Sequence, residues 1–258
     1  MSRIVLQGIL YDDKSSFMKG PAKAPRLIRD AYHSPSANYY AENGVEILPS
    51  LIEDMGDFKI ETYFDIESIT RNNLENGGPV ITFGGDHSIT YPVLRAFHEK
   101  YGPISILHID AHSDLYSDFE GDPYSHACPF HNIMKDRISK DLTQVGIRTL
   151  NEEQRKNAKK FDVKIFEMKD IEKFVMPRYT KPIYLSVDID GLDPAFAPGV
   201  SHYEPGGLST RQVLKIIQDI PVPILGADIV EYNPVRDRNG MTAMVCAKIF
   251  KEIVAKMV

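Results

Sequence analysis

Short apolar runs rich in β-branched residues alternate along the chain with longer amphipathic stretches, the pattern of repeated βαβ units and a mostly parallel sheet. These runs predict strands over residues 4–10, 80–83, 104–109, 144–147, 163–166, 183–189 and 224–229. The central ones are almost continuously apolar, as strands are when helices cover both faces of a sheet. Helical periodicity predicts helices over 25–32, 91–101, 152–160, 210–219 and 243–256, the fourth opened by Ser209 and Gln212 as a capping box. The segment 172–179 is ambiguous, because Pro177 ends any helix there. No repeat, low-complexity tract or linker divides the chain, so residues 1–258 read as one α/β domain with helices on both sheet faces.

Composition narrows the partners. A hydrophobic fraction of 43% with 26% charged residues is ordinary for a globular protein. A formal charge of −6 and the lack of a Lys/Arg block give no footprint for nucleic acid. Cys128 and Cys246 are too few for a disulfide framework, which predicts free thiols in a reducing compartment. The first residues lack the apolar region of a signal peptide, and no apolar stretch reaches the ~20 residues of a membrane span. The expectation is a cytoplasmic protein without a membrane partner.

Three runs concentrate the chemistry: Gly84-Gly85-Asp86-His87-Ser88, Asp110-Ala111-His112-Ser113-Asp114, and Ser186 through Pro194 with Asp188, Asp190 and Asp193. Each follows or ends a predicted strand, and in extended backbone residues i and i+2 point to the same side. Asp110 with His112, and Asp188 with Asp190, can each present two metal-seeking groups to one point. His87, Asp110, His112, Asp114, Asp188 and Asp190 together supply four carboxylates and two imidazoles. Carboxylates so crowded repel unless cations join them. Two cations ~3.5–4 Å apart in turn need bridging carboxylates, and a water between them is a hydroxide source near neutral pH. Hard oxygen donors with some nitrogen and no thiolate favour Mn²⁺ or a similar ion over structural Zn²⁺. Asp86 alternates away from His87 and is assigned to a turn or a supporting role, and Asp193-Pro194 to a turn. His108 lies deeper in its strand and is read as a satisfied core histidine.

With these motifs the chain resembles the ureohydrolases, the family of arginase, agmatinase and their relatives. The resemblance extends through Ser15-Ser16-Phe17, Gly20-Pro21-Ala22, Tyr124-Ser125-His126-Ala127, Gly206-Gly207-Leu208 and Asp228 through Pro234. The stretches 118–121, 197–205 and 240–245 look most like plant-type arginases. The resemblance implies a three-layer, doubly wound arginase/deacetylase-like fold and a homotrimer or homohexamer. It also implies two Mn²⁺ per subunit, with Ni²⁺ or Co²⁺ as alternatives. One ion would be held by His87, Asp110, Asp114 and Asp188, the other by Asp110, His112, Asp188 and Asp190. It implies attack of a metal-bridging hydroxide on a guanidinium, with Asp114 moving its proton to the leaving amine. His126 would be a proton shuttle, and Glu231 would pair with the substrate guanidinium.

The far end of the substrate is less legible. Residues 115–123 are acidic and lack the amides of animal-type arginase, which leans towards an amine-ended guanidine such as agmatine. The same loop resembles that of plant-type arginases, which leans towards L-arginine, cleaved to urea and L-ornithine. The longer resemblance favours arginine, with agmatine the alternative. His202 and Tyr203 are placed either at the site's mouth or on the loop surface. Cys128 lies two residues after His126, but a metal-activated water makes a thiol nucleophile redundant. A mononuclear zinc deacetylase would not need His87 and Asp114, and a non-catalytic relative would not keep all six ligands with His126 and Glu231.

Overall fold

Every predicted strand becomes part of one sheet in the computed structural model, which describes residues 3–75 and 77–258. The strands are β1 (Ile4–Leu10), β2 (Ile52–Lys59), β3 (Val80–Phe83), β4 (Ile104–Ile109), β5 (Ser139–Ile147), β6 (Lys164–Glu167), β7 (Ile183–Asp188) and β8 (Ile224–Val230). Their order across the sheet is β2-β1-β3-β8-β7-β4-β5-β6. All seven neighbouring pairs are parallel. Between them run α1 (Ala24–Tyr32), α2 (Asp65–Glu75), α3 (Thr90–Tyr101), α4 (Pro129–Lys135), α5 (Glu152–Lys160), α6 (Thr210–Gln218) and α7 (Met241–Val254).

Strands β3, β4 and β7 are buried at every residue, as their unbroken apolar runs require. One face of the sheet packs on Ile28 of α1, Val213 and Ile217 of α6, and Phe250 of α7. The other packs on Ile66 of α2, Leu94 and Phe97 of α3, and Phe130 of α4. The result is the three-layer, doubly wound arrangement. Among the described residues no helix is long and apolar enough to cross a membrane.

Three elements escape the hydrophobic pattern. Strand β2 reads Ile-Glu-Asp-Met-Gly-Asp-Phe-Lys and is only partly buried; it lies at the sheet edge, where charges discourage further pairing. Helix α2 is polar over most of its length and is anchored at its start by Thr62 and Asp65. Helix α4 is short and opens on Pro129 directly after a long loop. The Ser209/Gln212 capping box forms as read, and Asn151 with Gln154 forms a second at α5. Segment 172–179 resolves into the end of a 3-10 turn followed by irregular chain.

Candidate metal centre

All six candidate ligands and Glu231 leave the carboxyl ends of β3, β4, β7 and β8, which are neighbours in the middle of the sheet. That edge is where open α/β sheets place their sites. The local geometry differs from simple strand alternation, because β4 ends at Ile109 and β7 at Asp188. The i, i+2 pairs converge through tight turns instead. Asp110 Oδ1 accepts from the His112 amide at 2.6 Å, Asp188 Oδ1 from the Asp190 amide at 2.7 Å, and Asp86 Oδ1 from the Ser88 amide at 3.0 Å. An Asp side chain capping the amide two residues on is a favoured local motif. Each motif therefore folds its own second polar residue towards the first.

The charge distribution around His87 shows what this centre can hold. Its Nδ1 lies 3.1 Å from Asp110 Oδ2, 3.2 Å from Asp114 Oδ2 and 3.1 Å from Asp188 Oδ2. Its Nε2 lies 2.9 Å from Ser186 Oγ, and that hydroxyl donates its one hydrogen to Asp228 Oδ1 at 2.6 Å. Ser186 can therefore only accept from His87, which puts a ring hydrogen on Nε2 and leaves Nδ1 as the atom that faces the carboxylates. Three buried carboxylate oxygens around one ring nitrogen demand a positive charge among them, a proton on Nδ1 or a bound cation. A single proton serves one or two acceptors; a divalent cation serves all four groups. Burial, then Asp110 and Asp190, push the Asp188 carboxyl well above its usual range, and burial with Asp110 also raises Asp114.

A second cluster adjoins the first. Ligand atoms of Asp110, His112 and Asp190 lie within 4.8 Å of one another, with His112 Nδ1 3.1 Å from Asp190 Oδ2. Asp110 turns Oδ2 towards His87 and Oδ1 towards His112, 3.5 Å away. Asp188 likewise turns Oδ2 to His87 and Oδ1 to the Asp190 side. Asp110 thus faces both clusters, and Asp188 links the first to the backbone of the Asp190 turn. The donor set, four carboxylates and two imidazoles without sulfur, fits two hard or borderline divalent cations.

His126 and Glu231 meet beside this centre. Glu231 Oε1 lies 2.8 Å from His126 Nδ1 and accepts the His87 amide at 2.9 Å, while Oε2 has no hydrogen-bond partner among the described residues. Burial would lower His126, but the Glu231 charge outweighs it and lifts His126 to about 9. At Nε2 a second influence opposes this: the Ser16 amide donates to it at 3.1 Å, with Ser16 Oγ at 2.8 Å. An amide only donates, so in the neutral ring Nε2 is the acceptor, with Nδ1–H on Glu231. Glu231 sets the ring's proton affinity and Ser16 sets its tautomer. His202 stands over the pair, its ring 5.5 Å from that of His126 and 5.7 Å from that of His112. It lines the cleft, whereas Tyr203 packs outside on Arg236 at 3.8 Å.

The structure corrects one argument about the substrate. The loop acids Asp118, Glu120 and Asp122 do not line the cleft; Tyr116 and Phe119 of that loop do. Asp122 is instead paired with Lys14 at 2.6 Å, and Asp118 accepts the Gly121 amide. The cleft is lined by Asp114, Asp188, Asp190, Glu204 and Glu231 with no Lys or Arg among the described residues, so it favours a cation.

Other residues fall into supporting positions. Asp86 accepts from the amides of Lys14 and Ser88 and ties the N-terminal loop down beside Ser16. Burial, reinforced by Glu231, pushes Asp86 up to about 6. The Cys128 thiol is buried and pushed up to about 12, which makes it inert. Asp193 caps the amides of Ala195, Gly206 and Gly207, a turn as read. Two contributors were not legible in the sequence. Arg148 donates to the carbonyls of Gly146, Asp190, Gly191, Leu192 and Glu204, pinning the Asp190 loop. Asp228 gathers Thr90, Tyr184 and Ser186 behind His87. Apolar strand context around Asp228 was the available signal, since a carboxylate there needs several donors.

Known proteins resemble this chain in both sequence and fold. The family model described as "Arginase family" matches residues 2–255. Arginase 1, mitochondrial, of Arabidopsis thaliana is 44% identical over 274 residues, covering 98% of this chain and 80% of its own. The agmatinase of Bacillus subtilis (strain 168) is 36% identical over 194 residues, 73% of this chain and 67% of its own. The solved structure of arginase from Medicago truncatula superposes with a TM-score of 0.92 at 40% identity, covering 99% of this chain and 87% of that one. A buried Asp/His cluster at the centre of a doubly wound sheet, and these likenesses over nearly its whole length, lead to one conclusion: the chain belongs to the arginase family.

Proposed function

We propose that this chain hydrolyses the guanidino group of L-arginine to urea and L-ornithine at a pair of Mn²⁺ ions. His87, Asp110, Asp114 and Asp188 would hold one ion, and Asp110, His112, Asp188 and Asp190 the other. Such a pair, when bound, lowers the pKa of a coordinated water so that it serves as nucleophile near neutral pH. The observation that carries the proposal is the His87 Nδ1 set among three buried carboxylate oxygens, beside a Glu231 whose Oε2 is free among the described residues. The oxygen-rich ligand set supports Mn²⁺, with Ni²⁺ or Co²⁺ as substitutes.

The remaining steps belong to side chains. Glu231 Oε2 accepts guanidinium N–H and orients the planar cation; Oε1 is already engaged by His126 and His87, so one oxygen rather than a free pair does this work. Asp114 takes the proton released on attack and delivers it to the nitrogen of the departing amine. His126, with Ser16 Oγ at its outer nitrogen, exchanges that proton with the cleft. At the far end, Glu204 offers a carboxylate for an α-ammonium, while Ser16, Thr149 and Gln154 offer neutral polar groups for an α-carboxylate.

Agmatine is the runner-up, favoured by the absence of Lys and Arg from the cleft lining among the described residues and by the likeness to the Bacillus agmatinase. Urea release from arginine and agmatine, measured side by side after loading with Mn²⁺, decides between them. Arginine is expected to be turned over faster. Turnover of agmatine far above arginine would reverse the substrate assignment. The two buried, unpaired cysteines support a reducing, cytoplasmic setting. One sheet running through the chain supports a single domain over residues 1–258, and a homotrimer or homohexamer is proposed on the family likeness.

A further inference from the structure

His108 is fully buried on β4, two residues before Asp110, and both its ring nitrogens are engaged. It sits directly across from Gln144 in the β4–β5 register. Gln144 Nε2 lies 2.7 Å from the Ser113 carbonyl oxygen and 3.0 Å from His108 Nδ1. A carbonyl only accepts, so the amide nitrogen must face it, and the alternative amide orientation would set oxygen against oxygen. The same NH₂ group then donates its second hydrogen to Nδ1. Nδ1 is therefore an acceptor, the ring hydrogen is on Nε2, and Nε2–H donates to Asp110 Oδ2 at 2.7 Å. Phe130 holds the ring in plane, stacked at 3.9 Å and 27°, and meets the His87 ring edge-on at 5.3 Å.

Asp110 thus receives one fixed donor per oxygen: the His112 amide at Oδ1 and His108 at Oδ2. Those two bonds stop the carboxylate from rotating, with Oδ2 towards His87 and Oδ1 towards His112. We propose that His108, its tautomer set by Gln144 and the Ser113 carbonyl, is a positioning residue that locks Asp110 across the two metal sites. The inference rests on the two-ion reading above. A rival assignment exists, because ligand atoms of His87, His108 and Asp110 also lie within 4.8 Å of one another. In it His108 would bind the first ion directly, which conflicts with both its nitrogens being spent on hydrogen bonds.

The test is calorimetric titration of the metal-free chain and its variants with Mn²⁺ alone, with folding followed by near-UV circular dichroism. His108→Phe keeps the ring on Phe130 and removes the donor. It is expected to weaken Mn²⁺ affinity about 10–100-fold, the scale for losing such a supporting bond, while still taking two ions. His108→Gln, whose amide N–H reaches the same oxygen, is expected to recover most of that loss. Unchanged affinity in His108→Phe would overturn the proposal, and so would loss of one ion outright, which would make His108 a ligand. If His108→Phe does not fold, the ¹⁵N shifts of His108 in the unaltered chain decide: a hydrogen on Nδ1 instead of Nε2 overturns it. Failure of the unaltered chain to bind two ions would instead refute the two-ion reading itself.

Discussion

Asp188→Ala is expected to abolish Mn²⁺ binding and to lower turnover by more than about 10³-fold, the scale seen when one member of a catalytic unit is removed. Asp188 is 2% exposed and turns Oδ2 to His87 and Oδ1 to the Asp190 amide; on the two-ion reading its loss removes a shared ligand from both sites at once. The stability signature runs the other way. Burial, then Asp110 and Asp190, raise the folded Asp188 pKa above its unfolded value. A carboxylate raised in this way favours the fold while it is protonated. That contribution is full below an unfolded pKa of ~3.9 and is lost as pH rises. At pH 7 the metal-free protein is therefore burdened by this buried carboxyl, and the Ala variant is expected to melt no lower than the unaltered chain. Saturating Mn²⁺ should raise the melting temperature of the unaltered chain, since ligand at 100 times Kd adds about 2.7 kcal/mol. It should leave the variant unmoved. A variant that still gains stability from Mn²⁺ and releases urea would refute the bridging assignment.

Glu231→Gln has the second largest expected effect and separates recognition from metal binding. The carboxylate is buried, holds His126 and the His87 amide through Oε1, and keeps Oε2 for the substrate. Truncating one partner of a buried charged contact costs about 2–5 kcal/mol, so kcat/KM should fall about 30-fold to several thousandfold with Mn²⁺ stoichiometry retained. His126 loses the main cause that lifts it to about 9 and should drop towards the ordinary value of ~6.5, read by histidine NMR. The linked stability has a definite sign. A histidine raised in the fold stabilises fully below its unfolded pKa and loses that contribution as pH rises through about 9. The stability gap between the unaltered chain and Glu231→Gln should therefore be widest below pH ~6.5 and shrink towards the alkaline side. A gap that widens with pH would contradict the Glu231–His126 pairing.

Much of this was legible in the chain because its signals are local. Continuous apolar runs marked seven of the strands, and clustered Asp and His at their ends marked the ligands. Strand β2 was hidden because an edge strand carries charges where a central one carries Val and Ile. Strand alternation predicts the paired ligands, yet the chain leaves β4 before Asp110 and brings the pairs together through Asp-capped turns. Asp114 and Glu231 both adopt left-handed backbone, φ 50° and 61°, a strained choice for these residue types that no local pattern announces. Long-range partners were equally invisible. Ser16 meets His126 across 110 positions, and Asp228 reaches His87 through Ser186. The acidic loop 115–123 misled because composition does not say which way a side chain turns; Lys14 claims Asp122 outside the cleft.

The two-ion centre is tested most directly by titrating the metal-free chain with Mn²⁺ while recording its electron paramagnetic resonance spectrum. Two ions bridged by Asp110 and Asp188 would lie at the ~3.5–4 Å of two-metal sites, close enough for their spins to couple. The expected result is saturation at two Mn²⁺ per chain with the broad, exchange-coupled spectrum of a bridged pair. Saturation at one ion with the six-line spectrum of isolated Mn²⁺ would contradict it.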